Sequence, residues 1–168
     1  MVETRATNER ADLTQREADL ALRATAKPPP HLVGRALGTI RVAVYGRATP
    51  GARSRGRASP DVSALPWLAV DEALPDHPSV RWRRRHLPSV TPRLVVDSVQ
   101  SVLEGIAAGA GVGIVPLFLV RGRRDVVALT APLADAQTDL WLLTHPESRH
   151  LRRIATVASH LASTIALD

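Results

Sequence analysis

Few residues in this chain have the type and spacing to do chemistry. Six histidines are present (His31, His77, His86, His145, His150 and His160), and no pair has the i, i+4 spacing that places two imidazoles on one helix face around a metal. Cysteine is absent, which excludes disulfide frameworks, cysteine–zinc sites and thiol nucleophiles. Gly-x-Ser-x-Gly does not occur, and no spacing of Ser, His and Asp nominates a catalytic triad. The expectation is a protein that is not an enzyme and uses no catalytic residue, metal or cofactor.

Three other features could bind rather than react. Gly109-Ala110-Gly111-Val112-Gly113 resembles part of a dinucleotide loop, but that loop needs a strand before the glycines and a helix after them. The order here reads helix, glycines, strand, which suits a tight turn with positive backbone angles and close packing. Arg81-Trp82-Arg83-Arg84-Arg85 could hold phosphate and stack on a base, or be a solvated face. Ser98 sits where a strand ends and an amphipathic helix begins. Free N–H groups and the helix dipole attract anions at such a junction, and a plain N-cap is the alternative. Asn8 occupies a similar junction near the start of the chain. Two such junctions, one on each of two lobes, would make a cleft for a small anion.

The elements that must position these residues follow from periodicity. A strand is expected over Val2–Thr7, a helix capped by Asn8 through about Glu17, and strands over Ala18–Arg23, Leu32–Gly38 and Ile40–Tyr45. Lys27 to Pro30 reads as a stiff linker, and the arginine-rich run from Gly46 to Pro60 as an exposed loop. Asp61–Leu65 suits one helical turn and Trp67–Val70 a strand. Asp71–Pro78 reads as loop, Val80–His86 as an exposed strand and Arg93–Val96 as a strand. The clearest unit is a helix after Ser98 with Val99, Val102, Leu103 and Ile106 on one face, ended by Gly109. A strand over Gly113–Pro116, a turn over Leu117–Val120, strands over Val126–Leu129 and Asp139–Leu143, and a helix over Leu151–Leu167 complete the chain. Strands and helices alternate, so the fold class is α/β.

The chain has 168 residues, 45% of them apolar, which is enough for one domain with a real core. No run is long and apolar enough to span a membrane, and residues 1 to 16 do not read as a signal peptide. A cytoplasmic protein without a membrane partner is expected. The net charge of +6, with 22 basic residues of which only Lys27 is lysine, favours polyanions or an acidic small molecule without choosing between them.

Several segments together resemble the effector domain of LysR-type transcriptional regulators. Arg16 to Arg23 (READLALR) is similar to the family's "readlalR" strand, and Leu32 to Gly38 (LVGRALG) to its "lvgr.lg". Tyr45 matches a crossover tyrosine, and Leu65-Pro66-Trp67 matches "LpWi". Ile106 to Pro116 resembles "v.aGlGia.lP", Leu140 to Pro146 resembles "lwllthp", and Arg149, Arg152 and Arg153 match "lr..prvr". The motifs run in register from about Val2 to Leu167. The arginine-rich run after Tyr45 departs from the family's "asp.Yl..hG".

The resemblance implies a two-lobed, periplasmic-binding-protein-like effector domain with an incomplete first lobe. The first lobe would hold residues 1 to about 40 and 140 to 168, and the second about 41 to 139. The crossovers would lie near Ile40–Tyr45 and Val126–Asp139. It implies a small-molecule effector, expected to be anionic, contacted by Thr7, Asn8, Arg23, Ser98 and Val99. It implies regulation of transcription, with DNA reached only through a helix-turn-helix domain that this chain is expected to lack, and it leaves homo-oligomerisation open. Two rival readings stand beside it: a fragment without function of its own, and a basic nucleic-acid-binding module using Arg53 to Arg57 and Arg81 to Arg85.

Overall fold

A computed structural model describes residues 2–6, 11–49, 61–71 and 77–167. In chain order they form strands β1 (Ala21–Ala24), β2 (Val33–Ile40), β3 (Val42–Arg47) and β4 (Leu68–Val70), then helix α1 (Pro78–His86). Strand β5 (Leu94–Val96), helix α2 (Val99–Ala107), strands β6 (Gly113–Pro116), β7 (Val126–Ala128) and β8 (Thr138–Thr144), and helix α3 (Arg152–Thr164) follow. Single 3-10 turns occupy Val62–Ala64, Leu117–Val120 and Ala134–Ala136. The chain divides into two units, one of residues 1–40 and 138–167, the other of residues 41–137.

In the first unit, β8 lies between β1 and β2 and pairs antiparallel with both. The β2–β8 ladder shifts register between Ala36 and Gly38. Leu142, Leu143 and Thr144 of β8 are buried, together with Leu13, Ile154 and Leu167. Helix α3 buries only Ile154. Val157, Ala158, Leu161 and Ile165 of its apolar stripe stay half-buried, and Val2 is 71% exposed.

The second unit has the larger core. In β3 five successive residues, Val42 to Gly46, are buried, the pattern of a central strand covered on both faces. It pairs antiparallel with β6 and with β7. Strands β4 and β5 pair parallel, and a parallel bridge from Trp67 to Val112 joins β4 to β6. Helix α2 crosses from β5 to β6, so β5-α2-β6 is a βαβ unit. Val102, Leu103 and Ile106 of α2 lie at or below 1% exposure and pack with Ala43, Tyr45, Leu68, Val70, Val80, Val115 and Val126.

Three local expectations are corrected. Residues 2–6 form no strand, and Thr7 lies outside the described residues. Of the expected helix ending at Glu17, the described residues 11–17 form only a turn over 13–16; Asn8, its expected cap, lies outside the described residues. Asp12 Oδ1 accepts from the Thr14 N–H at 2.7 Å, and Arg16 closes the turn at φ +59, where a right-handed helix cannot continue. Val80–His86 is helix rather than strand. Pro78 stands at the first helical position and His77 caps it, and proline's fixed φ and missing N–H suit that place. The arginine-rich stretch 50–60 and residues 72–76 lie outside the described residues.

Candidate functional site

The start of α2 is built by its own sequence. Ser98 is extended (φ −138, ψ 152), and its Oγ accepts from the Ser101 N–H at 3.1 Å. The two hydroxyls lie 2.8 Å apart. Val99 packs half-buried against the second unit's core, which fixes the first turn's orientation. Ser98 itself is half-buried. The N-cap bond satisfies one of the turn's orphan donors, leaving other N–H groups and the positive end of the dipole for an acceptor.

The other end of α2 explains the glycines. Gly109 has φ +84, and a Cβ on Gly111 would stand 2.2 Å from the Pro66 carbonyl oxygen. A Cβ on Gly113 would meet the Leu68 carbonyl oxygen at 3.1 Å and Val102 Cγ1 at 2.6 Å. Each glycine is consumed by a turn or a close approach. The order is helix, glycines, strand, as a packing turn requires and a phosphate loop does not.

In the first unit, Arg23 lies on β1 directly across from Trp141 on β8, so the two side chains share one face of the sheet. The Arg23 guanidinium is half-buried and donates from Nη2 to the Ala11 carbonyl, leaving further N–H groups of its fork. The Trp141 indole N–H is buried with no acceptor among the described residues. Arg23 and Trp141 thus place a cation and a buried N–H donor on one sheet face. Trp141 went unrecognised in the sequence because the register of β1 against β8, 118 residues apart (Arg23 to Trp141), leaves no local signal.

Of the five candidates, Ser98 and Val99 are adjacent on α2 in the second unit. Arg23 belongs to the first unit, and Thr7 and Asn8 lie outside the described residues. The arginine run is not a uniform patch. Arg83 is 5% exposed and donates to the Val90 carbonyl at 2.9 Å, while Arg81, Arg84 and Arg85 are exposed. Trp82 stacks on His86 with ring centroids 4.7 Å apart, and His86 Nε2 bonds Asp135. That bond, with a lesser one from Trp82, holds the Asp135 carboxyl below the usual carboxylate range. Trp82 is therefore engaged with its own helix and the 134–136 turn rather than presented to a base. Among the described residues no cluster of His, Asp and Glu could hold a metal ion. Nor is any helix among them long and apolar enough to cross a membrane.

The family model for the LysR substrate binding domain matches residues 2–166. The chain belongs to that family. The family is one of effector-sensing regulatory domains of LysR-type transcriptional regulators, not a known class of enzyme. Solved structures share the fold at low identity. The regulatory domain of CrgA from Neisseria meningitidis aligns with a TM-score of 0.70 at 15% identity, covering 92% of this chain and 78% of that one. The CcmR regulatory domain of Synechocystis PCC6803, in complex with 2-PG, aligns with a TM-score of 0.66 at 15% identity, covering 90% and 75%. DarR from Vibrio fischeri, in complex with DNA, aligns at 0.68 and 11% identity, covering 92% of this chain and 53% of that one. No curated protein matches the sequence. The periplasmic-binding-protein-like α/β architecture implied by the sequence motifs is the fold these domains share.

Proposed function

We propose that this chain senses a small anion and reports it to the transcription machinery. The observation that carries the reading is the LysR substrate binding domain match over residues 2–166. Two donor sets within the domain support an anionic ligand. One is the capped start of α2, with Ser98 and the backbone at Val99. The other is Arg23, paired across the sheet with Trp141, whose buried indole N–H has no acceptor among the described residues. Thr7 and Asn8 join the proposal by sequence position. A planar guanidinium pairs bidentately with carboxylate or phosphate, and the net charge of +6 raises the local concentration of anions. CcmR was solved with 2-PG and DarR with DNA. By the same logic this chain takes a small ligand, and DNA is contacted through a helix-turn-helix domain outside these residues. The cell interior is the compartment such a role requires. The ligand shifts the regulator between states only as far as it binds one state better.

A thermal-shift screen of small carboxylates and phosphates against the chain tests this. A ligand at about 100 times its Kd stabilises by about 2.7 kcal/mol, which is a clear rise in Tm. Titration of a hit against Ser98→Ala and Arg23→Gln is expected to show roughly tenfold weaker binding, the loss of one charge-assisted hydrogen bond. Stabilisation by neutral or cationic compounds alone, or a hit that binds both variants as tightly as the parent, overturns the reading.

A further inference from the structure

Helix α1 carries a charged face that the sensing of a small ligand leaves unused. Arg81, Arg83, Arg84, Arg85 and His86 make up most of the helix, and it holds no acidic residue. Packing sorts these residues into two sets. Arg83 turns inward, 5% exposed, and donates to the Val90 carbonyl. His86 stacks on Trp82 and bonds Asp135, so that carboxylate is already taken. Arg81, Arg84 and Arg85 are exposed, and their i, i+3, i+4 spacing puts them on one face. Arg84 has an interaction of its own. Among the described residues Arg81 and Arg85 have no hydrogen bond or ion pair. Like charges four apart on a helix repel, so this face is most stable when a counter-charge is supplied from outside.

We propose that the α1 face carrying Arg81, Arg84 and Arg85 contacts the phosphate backbone of duplex DNA without reading its sequence. Charge complementarity is the first ground. A guanidinium fork matches phosphate oxygens. The Cβ atoms of residues four apart lie about 5–6 Å from each other, and charges repeat about every 3.4 Å along one DNA strand. Arg81 and Arg85 therefore reach phosphates of the same strand. Rigidity is the second ground. The inward contacts of Arg83, Trp82 and His86 fix the helix from its other side, so the arginines project from a held backbone. Trp82 is engaged with His86, which leaves no aromatic ring on this face for a base, and contacts to phosphate alone carry no sequence information. A lipid surface fits less well, because interfacial helices set apolar residues beside their cations. Duplex DNA is favoured over other polyanions because the family is one of transcriptional regulators. The contact is additional to any made by a helix-turn-helix domain, and it is independent of the small-ligand reading, which rests on Ser98 and Arg23.

Fluorescence anisotropy of a labelled duplex, titrated with the chain between about 50 and 200 mM salt, tests this. The parent is expected to bind with a Kd of about 10⁻⁴ M or below at the lower salt, equally for two unrelated sequences. Each phosphate contact steepens the fall of log affinity against log salt by about 0.9. Arg81→Gln combined with Arg85→Gln is expected to weaken binding roughly tenfold and to flatten that slope by about 1.8. Arg81→Lys combined with Arg85→Lys keeps the charge and is expected to keep the slope. Arg121→Gln combined with Arg124→Gln removes the same charge from exposed arginines elsewhere in the same unit, and is expected to change Kd by less than about twofold. Circular dichroism checks that each variant is folded, and the single variant Arg85→Ala carries the test should the glutamine pair unfold. A parent that does not bind the duplex at the lower salt, glutamine pairs that lose affinity alike, or an unflattened slope overturns the proposal. So does a strong preference for one of the two sequences, or tighter binding to vesicles of anionic lipid than to the duplex.

Discussion

Gly109 and Gly111 show what one methyl group can cost at two neighbouring positions. At Gly109 the backbone sits at φ +84, and a new Cβ would stand 2.9 Å from Arg47 Nη1, the mobile end of a long side chain. Gly109→Ala is therefore a backbone penalty of roughly 1–2 kcal/mol. At Gly111 the obstacle is the Pro66 carbonyl oxygen, 2.2 Å from the new Cβ, and that carbonyl accepts the Val112 N–H at 2.8 Å. Relief requires moving two segments, so Gly111→Ala is expected to cost roughly 3 kcal/mol or more. Urea midpoints of the two variants check the order, and equal losses would contradict the packing account. Ser98→Ala removes the cap bond to Ser101 and is expected to lower stability by about 1 kcal/mol. The same variant reports ligand affinity separately, so the structural and binding roles of Ser98 can be measured apart.

Helix α1 is the element where reading the sequence failed, and the reason is physical. Its apolar residues, Val80 and Trp82, are two apart, which mimics strand alternation. The buried face is instead Val80 and Arg83, three apart as a helix requires, with an arginine standing where periodicity expects an apolar residue. Arg83→Ala deletes a buried stem and strips the Val90 carbonyl of its donor. It is expected to cost roughly 2–3 kcal/mol, while the exposed Arg85→Ala stays within about 0.5 kcal/mol. An exposed strand would make the two alike, so chemical denaturation of both variants separates helix from strand. The N-terminus of α1 also sets an acid sensitivity. His77 Nδ1 accepts from the Ser79 N–H at 3.3 Å and lies 2.8 Å from the Ser79 hydroxyl. Burial holds the imidazole below its ordinary value of 6.5. The unfolded chain thus takes the proton first, and stability falls as pH drops through about 6.5 and on toward the lower folded value. His77→Asn keeps a capping oxygen and removes the titration. The fall in urea midpoint between neutral pH and pH 5 is expected to be smaller in that variant.

At the scale of the molecule, the two units differ in how much apolar surface they bury. Three residues of α2 are buried against one α3 residue, Ile154. Since local opening tracks buried contacts, amides of α3 are expected to exchange with solvent orders of magnitude faster than those of α2. Native-state hydrogen exchange measures this directly, and equal protection would mean that α3 buries more than its solvent exposure indicates. The order of motifs was enough to place the chain among LysR-type effector domains, because that signal is spread along the whole chain. Periodicity was enough for α2 and for β2 to β8, where apolar spacing and the structure agree to within a few residues. The α2 cap at Ser98 and the glycine turn were legible because caps and turns are local: their partners lie within a few residues in the chain. Other features depended on distant partners. The burial of Arg83, the row that sets Arg23 against Trp141, and the exposure of Leu94 and Val95 each arise from which segment packs where. A sequence specifies a residue's type and its neighbours in the chain. Whether a polar side chain is buried, or an apolar one left bare, is decided only when segments far apart in the chain share the same surface.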